Sequence, residues 1–443
     1  MSVHPARSPV QQLAERLASG TITPRAAAEE ALARANSNAR HNVYLALNPE
    51  KVREEADTLP QRFPRAAKPL LYGVPVSIKD CFEVAGFPTT LGSRFYAERS
   101  GVAREDSAVA ARLRSQGAII IGKTHMHPLA YGITGENPDY GDCVQPRDAR
   151  RLTGGSSSGA AASVQEQSAL AAIGTDTGGS IRLPAALCGL AGYRASLELA
   201  HQSGLWRGGV HLAPAFDTLG WLFQDLRDAA LLAEALFGVR TADVPETRFR
   251  IGCVSDEFLR DCDQQALAGF AEWKKKLSES GATIIPADTA YWEEALEIYT
   301  AITAHEAAAI HSAKTGGNFS HFPAAIAQRL AWGASISSDQ IALFRSRHLR
   351  FRERAESQLR QFHFFLAPCA ALHQLAVGAD HTSSRAAILR YTTPISLVGA
   401  PVVTLPTATG AGVQLIAPRN ADAGLLAYAK AIGTRVAQAR ESV

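Results

Sequence analysis

The stretch that most constrains this chain is Ala169-Leu-Ala-Ala-Ile173, an apolar run that breaks into Gly174-Thr-Asp-Thr-Gly-Gly179 and delivers Ser180. The run is short, apolar and bounded by glycine, as a buried strand is. Two glycines before a serine let the backbone turn sharply and leave its N–H groups uncovered. Such a turn can aim several donors at one point, which a developing oxyanion requires, with the serine placed as nucleophile. Taken alone, the stretch is equally compatible with an ordinary glycine-rich turn.

Two further tracts bear on that choice. Ser156 lies 24 residues upstream of Ser180, within Thr153-Gly-Gly-Ser-Ser-Ser-Gly159. Farther upstream, Leu71-Tyr-Gly-Val-Pro-Val-Ser-Ile-Lys79-Asp80 is strand-like and places a lysine at its end. A lysine on an apolar strand, a Gly/Ser loop and a GGS turn, in this order, resemble the amidase signature family. The resemblance runs from about Pro9 to Gly238 and returns at Tyr391 to Pro418. It implies a Ser–Ser–Lys triad of nucleophile Ser180, bridging Ser156 and base Lys79. It further implies an oxyanion hole at Thr177, Gly178 and Gly179, a cis Gly155–Ser156 peptide, and substrate contacts at Tyr131 and Gly155. No cofactor and no metal are implied, and a homodimer is compatible with the family. The expected reaction is hydrolysis of a carboxylic amide through an acyl-enzyme on Ser180, releasing acid and ammonia or amine. Two alternatives stay open: the A-type component of a tRNA-dependent amidotransferase, acting as a glutaminase, and an inactive binding protein of the same fold.

Residue chemistry agrees with these roles. Strand alternation puts Ser77 and Lys79 on one face and Asp80 on the other, so Asp80 would not pair with Lys79. A base must be uncharged, so the lysine pKa has to fall from about 10.4 toward 7, which burial among apolar neighbours can achieve. A hydroxyl both donates and accepts, so Ser156 can relay a proton. Asp176 and Arg182 fit the family pattern as residues shaping the turn. The loop also contains a GxSxG match centred on Ser157, but a nucleophile elbow requires a buried strand before it, and Gln145 to Thr153 is polar and reads as irregular.

Some positions depart from the family. Ser158 stands where a second glycine is usual, Tyr193-Arg194-Ala195 replaces a common Lys-Pro-Thr, and Trp221 follows Gly220 in place of proline. His125-Met-His127 has no third ligand nearby and reads as a loop. Arg345, Arg347, Arg350, Arg352 and Arg354 alternate with an apolar stripe at helical spacing, which predicts a helix with a solvated basic face.

Charges are nearly balanced, 45 basic against 42 acidic residues, and interspersed, which gives no case for nucleic acid or a membrane surface. The six cysteines are scattered without CxxC spacing and read as reduced thiols. Met1 to Pro9 lacks the apolar segment of a signal peptide, and no run is long enough to span a membrane. A cytoplasmic protein acting on a small-molecule amide is expected.

The fold class expected is α/β, with a central mixed β-sheet flanked by helices on both faces in a single large domain over all 443 residues. Within it, residues 1–60 form a helical lead-in, opened by the N-cap and first-turn pairs Ser8-Pro9 and Thr23-Pro24. Residues 70–240 form the signature core. Residues 288–361 form a mainly helical insertion on the substrate side.

Overall fold

The computed structural model describes residues 7–64, 67–242 and 248–441. The first six residues, where the absence of a signal peptide was read, lie outside this set. Among the described residues the strands are β1 (Tyr44–Leu47), β2 (Pro75–Lys79), β3 (Ile119–Thr124), β4 (Val144–Gln145), β5 (Asp148–Leu152), β6 (Ala171–Asp176), β7 (Ala191–Arg194), β8 (Thr218–Phe223), β9 (Arg250–Val254), β10 (Thr283–Ala287), β11 (Phe364–Pro368), β12 (Val402–Leu405) and β13 (Val413–Ile416). Eleven of them make one sheet in the order β1-β3-β2-β6-β8-β7-β12-β13-β11-β9-β10, while β4 and β5 pair as a separate ribbon.

The sheet is mixed. Strands β3, β2 and β6 run parallel, β8 returns antiparallel between β6 and β7, and β12 and β13 are antiparallel neighbours. Every residue of β2, β3, β6 and β8 is buried, the signature of strands covered on both faces. One apolar core, from Val74 in β2's approach to Leu415 in β13, runs through the sheet. The architecture is therefore a single α/β domain with a large mixed sheet flanked by helices.

The helices follow their sequence punctuation. Ser8 and Thr23 precede proline at the first turn of Pro9–Ala18 and Pro24–Ser37, and the Thr23 side chain accepts the Ala26 amide. Downstream of β10, helices Ala324–Ser335 and Ser338–Leu359 both pack on Ala295–Thr315. The last of these opens with a capping box from Ser337 and Gln340. Its arginines are not simply solvated: Arg347 pairs with Glu297 at 2.7 Å, and the Arg354 guanidinium lies 3.9 Å from the Tyr291 ring centre.

One expectation needs correcting. Gln145 to Thr153 is not irregular, because Asp148–Leu152 pairs with Val144–Gln145 and Leu152 donates its amide to the Leu375 carbonyl. The segment from Asp225 opens with a short 3₁₀ turn, Leu226–Asp228, that leads straight into the helix Ala229–Phe237. Trp221 has a plain structural role: it is fully buried on β8, and its indole N–H donates to the Leu232 carbonyl at 2.9 Å.

Candidate active site

The parallel strands β2, β3 and β6 bring their C-terminal ends together, the end of an α/β sheet where ligand sites form. Lys79 is the last residue of β2 and is wholly buried. Its ammonium nitrogen reaches Ser156 Oγ at 2.8 Å and Thr175 Oγ1 at 2.6 Å. Among the described residues it makes no ion pair. Lys123, equally buried on β3, provides the contrast: it pairs with Asp80 at 2.8 Å and also donates to the Pro88 carbonyl. Of these two lysines only Lys79 is left with hydroxyls alone. Burial lowers its pKa to about 8, against the opposing pull of Cys81, Asp217 and Asp176. As alternation requires, Ser77 shares the Lys79 face and meets Ser163 Oγ at 2.8 Å, while Asp80 turns away to Lys123 and Thr90.

Ser156 sits in the loop between the ribbon and the helix Ser158–Gln165. The Gly155–Ser156 peptide is cis. A Cβ on Gly155 would stand 2.8 Å from the Gly135 amide nitrogen, so only glycine fits this approach. Ser157 bonds to both backbone groups of Thr175, fixing the residue that grips Lys79, which makes it a scaffold residue and not a nucleophile elbow. Ser158, the departure from a second glycine, has a function here. Its hydroxyl meets His125 Nδ1 at 2.7 Å, and His125 Nε2 donates to the Gly141 carbonyl at 2.9 Å. Burial holds the His125 pKa near 4, so the ring is a neutral strut. Among the described residues no group of three or more His, Cys, Asp or Glu side chains could hold a metal ion.

The turn after β6 is organised by Asp176. Its carboxylate accepts the amides of Gly179 (2.9 Å), Ile181 (3.1 Å) and Arg182 (3.3 Å) and pairs with Arg182 (2.8 Å) and Arg194 (3.3 Å). All three side chains are completely buried. Burial alone would raise the Asp176 pKa, but the two guanidinium charges and the amide donors hold it far below the usual carboxylate range. Arg194, in the stretch that departs from the family, is thus part of the turn's foundation.

One expectation fails at this turn. The Gly179 amide, assigned from sequence to the oxyanion hole, is committed to Asp176. Among the described residues the amides of Thr177, Gly178 and Ser180 are engaged by no acceptor. Thr392 donates its hydroxyl to the Gly178 carbonyl at 2.6 Å, and Thr177 donates to Asp217 at 2.5 Å, so the turn is held from both sides. Ser180 is buried, and its hydroxyl makes no hydrogen bond among the described residues; the link from Ser156 to Ser180 is open. The structure therefore joins Lys79 to Ser156 directly and leaves Ser180 unattached.

Gly155 directly precedes Ser156, whereas the Tyr131 ring faces the guanidinium groups of Arg329 and Arg385. Gly155 donates to the Ile133 carbonyl at 2.7 Å, and His127 donates its amide to the Ser156 carbonyl at 3.2 Å. Sequence reasoning missed Thr175, Thr392 and Tyr299. Thr175 could have been found, since strand alternation from Ile173 puts it on one face. Thr392 lies within the second stretch of the family resemblance, whereas Tyr299 comes from a helix, Ala295–Thr315, without a motif.

The Amidase family model matches residues 26–426, nine-tenths of the chain. The chain belongs to the amidase signature family. It is 28% identical to AtzE, a component of the 1-carboxybiuret hydrolase of Pseudomonas sp. (strain ADP), over 92% of this chain and 94% of that one. It is 31% identical to the A-type component of the glutamyl-tRNA(Gln) amidotransferase of Koribacter versatilis (strain Ellin345), over 63% of this chain and 61% of that one. It thus spans less than two thirds of that relative's length. A crystal structure of an amidase superposes with a TM-score of 0.86 at 29% identity, covering 97% of this chain and 100% of that one. No helix among the described residues is long and apolar enough to cross a membrane.

Proposed function

We propose that this amidase hydrolyses a linear carboxylic amide with Lys79, Ser156 and Ser180 as its catalytic triad. The observation that carries this reading is the buried Lys79 amine, paired with no carboxylate among the described residues and hydrogen-bonded to Ser156. Neutral Lys79 takes the Ser156 proton as Ser156 takes that of Ser180, and Ser180 Oγ attacks the amide carbonyl. The open Ser156–Ser180 link closes as substrate seats, as catalytic hydrogen bonds commonly do. The amides of Thr177, Gly178 and Ser180 face the tetrahedral oxyanion. The proton returns through Ser156 to the leaving amine, and water then cleaves the acyl-enzyme to the acid. The helical insertion and the loop around Tyr131 form the substrate side. Ammonia release across a panel of amides, beside Lys79→Ala, tests the assignment; undiminished release in that variant would refute it.

The base must be unprotonated, so kcat/KM rises with pH and levels off above about 8, the Lys79 pKa. A rate profile flat from pH 6 to 9 would contradict Lys79 as base. Thr175 tunes this limb. Its oxygen accepts from Nζ and favours the charged form, so Thr175→Val should move the limb to lower pH. The same variant should lower kcat about 10- to 100-fold by loosening the amine, as expected for a lost hydrogen bond to a charged group. A profile unmoved by the substitution would assign Thr175 a packing role only.

The amidotransferase relative favours a second reading, a glutaminase feeding a partner protein. The longer match to a hydrolase component weighs against it. Glutamine-specific ammonia release that requires companion proteins would reverse that weighing.

A further inference from the structure

The cleft beside the triad, about 510 Å³ in volume, is bordered by His127, Gly132, Glu136, Arg329, Asp380 and Arg385 among others. Its two arginines lack the partners that buried or half-buried arginines ordinarily hold. Arg329, on the helix Ala324–Ser335, donates one N–H to the Tyr131 carbonyl at 2.6 Å. Its Nε is buried with no hydrogen-bond partner among the described residues. Arg385 makes neither a hydrogen bond nor an ion pair among the described residues. Both guanidinium groups face the Tyr131 ring, at 4.7 Å and 5.9 Å from its centre. Glu136 and Asp380 do not neutralise them: Glu136 accepts from the Thr134 hydroxyl at 2.6 Å, and Asp380 accepts from the amide and hydroxyl of Thr382. Two like charges thus share one aromatic platform. Burial and the nearby Arg385 lower the Arg329 pKa to about 10.

The arrangement is costly without an anion. Arg385 also stands in the first turn of the helix Ser384–Val398, where the helix dipole disfavours a cation and favours a negative group. Seven residues on, the same helix carries Thr392, which grips the Gly178 carbonyl. Seven residues of helix rise about 10 Å, so the arginine lies a short molecule's length from the turn that presents Ser180. Tyr299 completes the connection. Its hydroxyl packs against Gly178, where an added Cβ would come within 2.4 Å, and its electrostatic neighbours include Arg385 and Tyr131.

We propose that Arg329 and Arg385 form a carboxylate-binding subsite and that the substrate is a short amide bearing a carboxylate at its other end. This rests on the hydrolase reading and deepens it. Planar guanidinium forks match a carboxylate, and unpaired donors in a half-buried cleft gain most from one.

The test uses malonamate, succinamate, glutaramate and ureidoacetate, each beside its neutral methyl ester. With wild-type protein the best acid should exceed its ester in kcat/KM by about 10- to 150-fold, the range of charge-assisted hydrogen bonds. Arg385→Met and Arg329→Gln should collapse that ratio toward one, and Arg385→Lys should keep part of it. Equal turnover of acids and esters by wild type, or a ratio unchanged in both variants, overturns the proposal. Fluorophosphonate labelling of Ser180 separates the two readings. Labelling together with ester turnover but no acid preference sinks the subsite and leaves the hydrolase standing. Should nothing turn over, calorimetry with folded Ser180→Ala still decides. Binding of at least one acid, weakened at least tenfold by adding Arg385→Met, sustains the subsite, and its absence refutes it.

Discussion

Ser180→Ala lowers kcat on the best amide by about 10⁴- to 10⁶-fold, the loss typical of a missing serine nucleophile in a unit that works as a whole. The substitution removes only a hydroxyl that bonds to nothing among the described residues, at a buried position where alanine fits. Thermal unfolding should therefore be unchanged, which separates lost chemistry from lost structure. A fluorophosphonate should label the wild type at Ser180 and leave the variant unmarked. Residual turnover within tenfold of wild type would move the nucleophile elsewhere, and Ser157 would not be the replacement, because its hydroxyl is spent on the Thr175 backbone.

The second large effect is on stability. Asp176→Asn keeps the size of the side chain but removes the one negative charge between Arg182 and Arg194, all three wholly buried. Breaking a buried pair from one side leaves uncompensated charge and typically costs about 3–5 kcal/mol. The Asp176 carboxylate is ionised across the accessible pH range, because its folded-state pKa is depressed. Its contribution is therefore fully present above the ordinary carboxylate pKa and is lost only as pH falls through the lower folded value. Urea unfolding at pH 7 should show a clearly lower midpoint for the variant. Activity should fall as well, because the amides of Gly179, Ile181 and Arg182 lose a charged acceptor and the turn relaxes. An unchanged midpoint would mean that neighbouring carbonyls satisfy the arginines alone.

Much of this was legible in the chain. Lysine at the end of an apolar strand, glycine pairs before two serines and alternation around Ser77 and Lys79 are local patterns, and each is realised as local geometry. The strands Ala191–Arg194 and Thr218–Phe223 were not visible, because their residues are buried on both faces and mixed with glycine, which erases alternation. The helix Ser384–Val398 was hidden by an internal Pro394, and with it Arg385. Arg194 looked like a departure from a pattern; only the folded chain reveals the carboxylate it faces. The Gly179 amide shows the complementary limit. A glycine-rich turn announces exposed donors, but which donor a neighbouring carboxylate captures depends on the torsions of the turn, and composition does not encode these.

The anchoring of Arg182 has a bearing on when in folding the turn around Ser180 takes shape. The guanidinium that steadies the residues just after Ser180 is held by the Thr392 carbonyl, the Ser396 hydroxyl and the Gln414 side chain, 210, 214 and 232 positions farther along. Closing loops of that span is slow and comes late in folding. A chain emerging from the ribosome presents Ser180 well before the residues that clamp the backbone around it. The turn that would serve the proposed acyl transfer is therefore complete only once the helix Ser384–Val398 and β13, which carries Gln414, have joined the sheet.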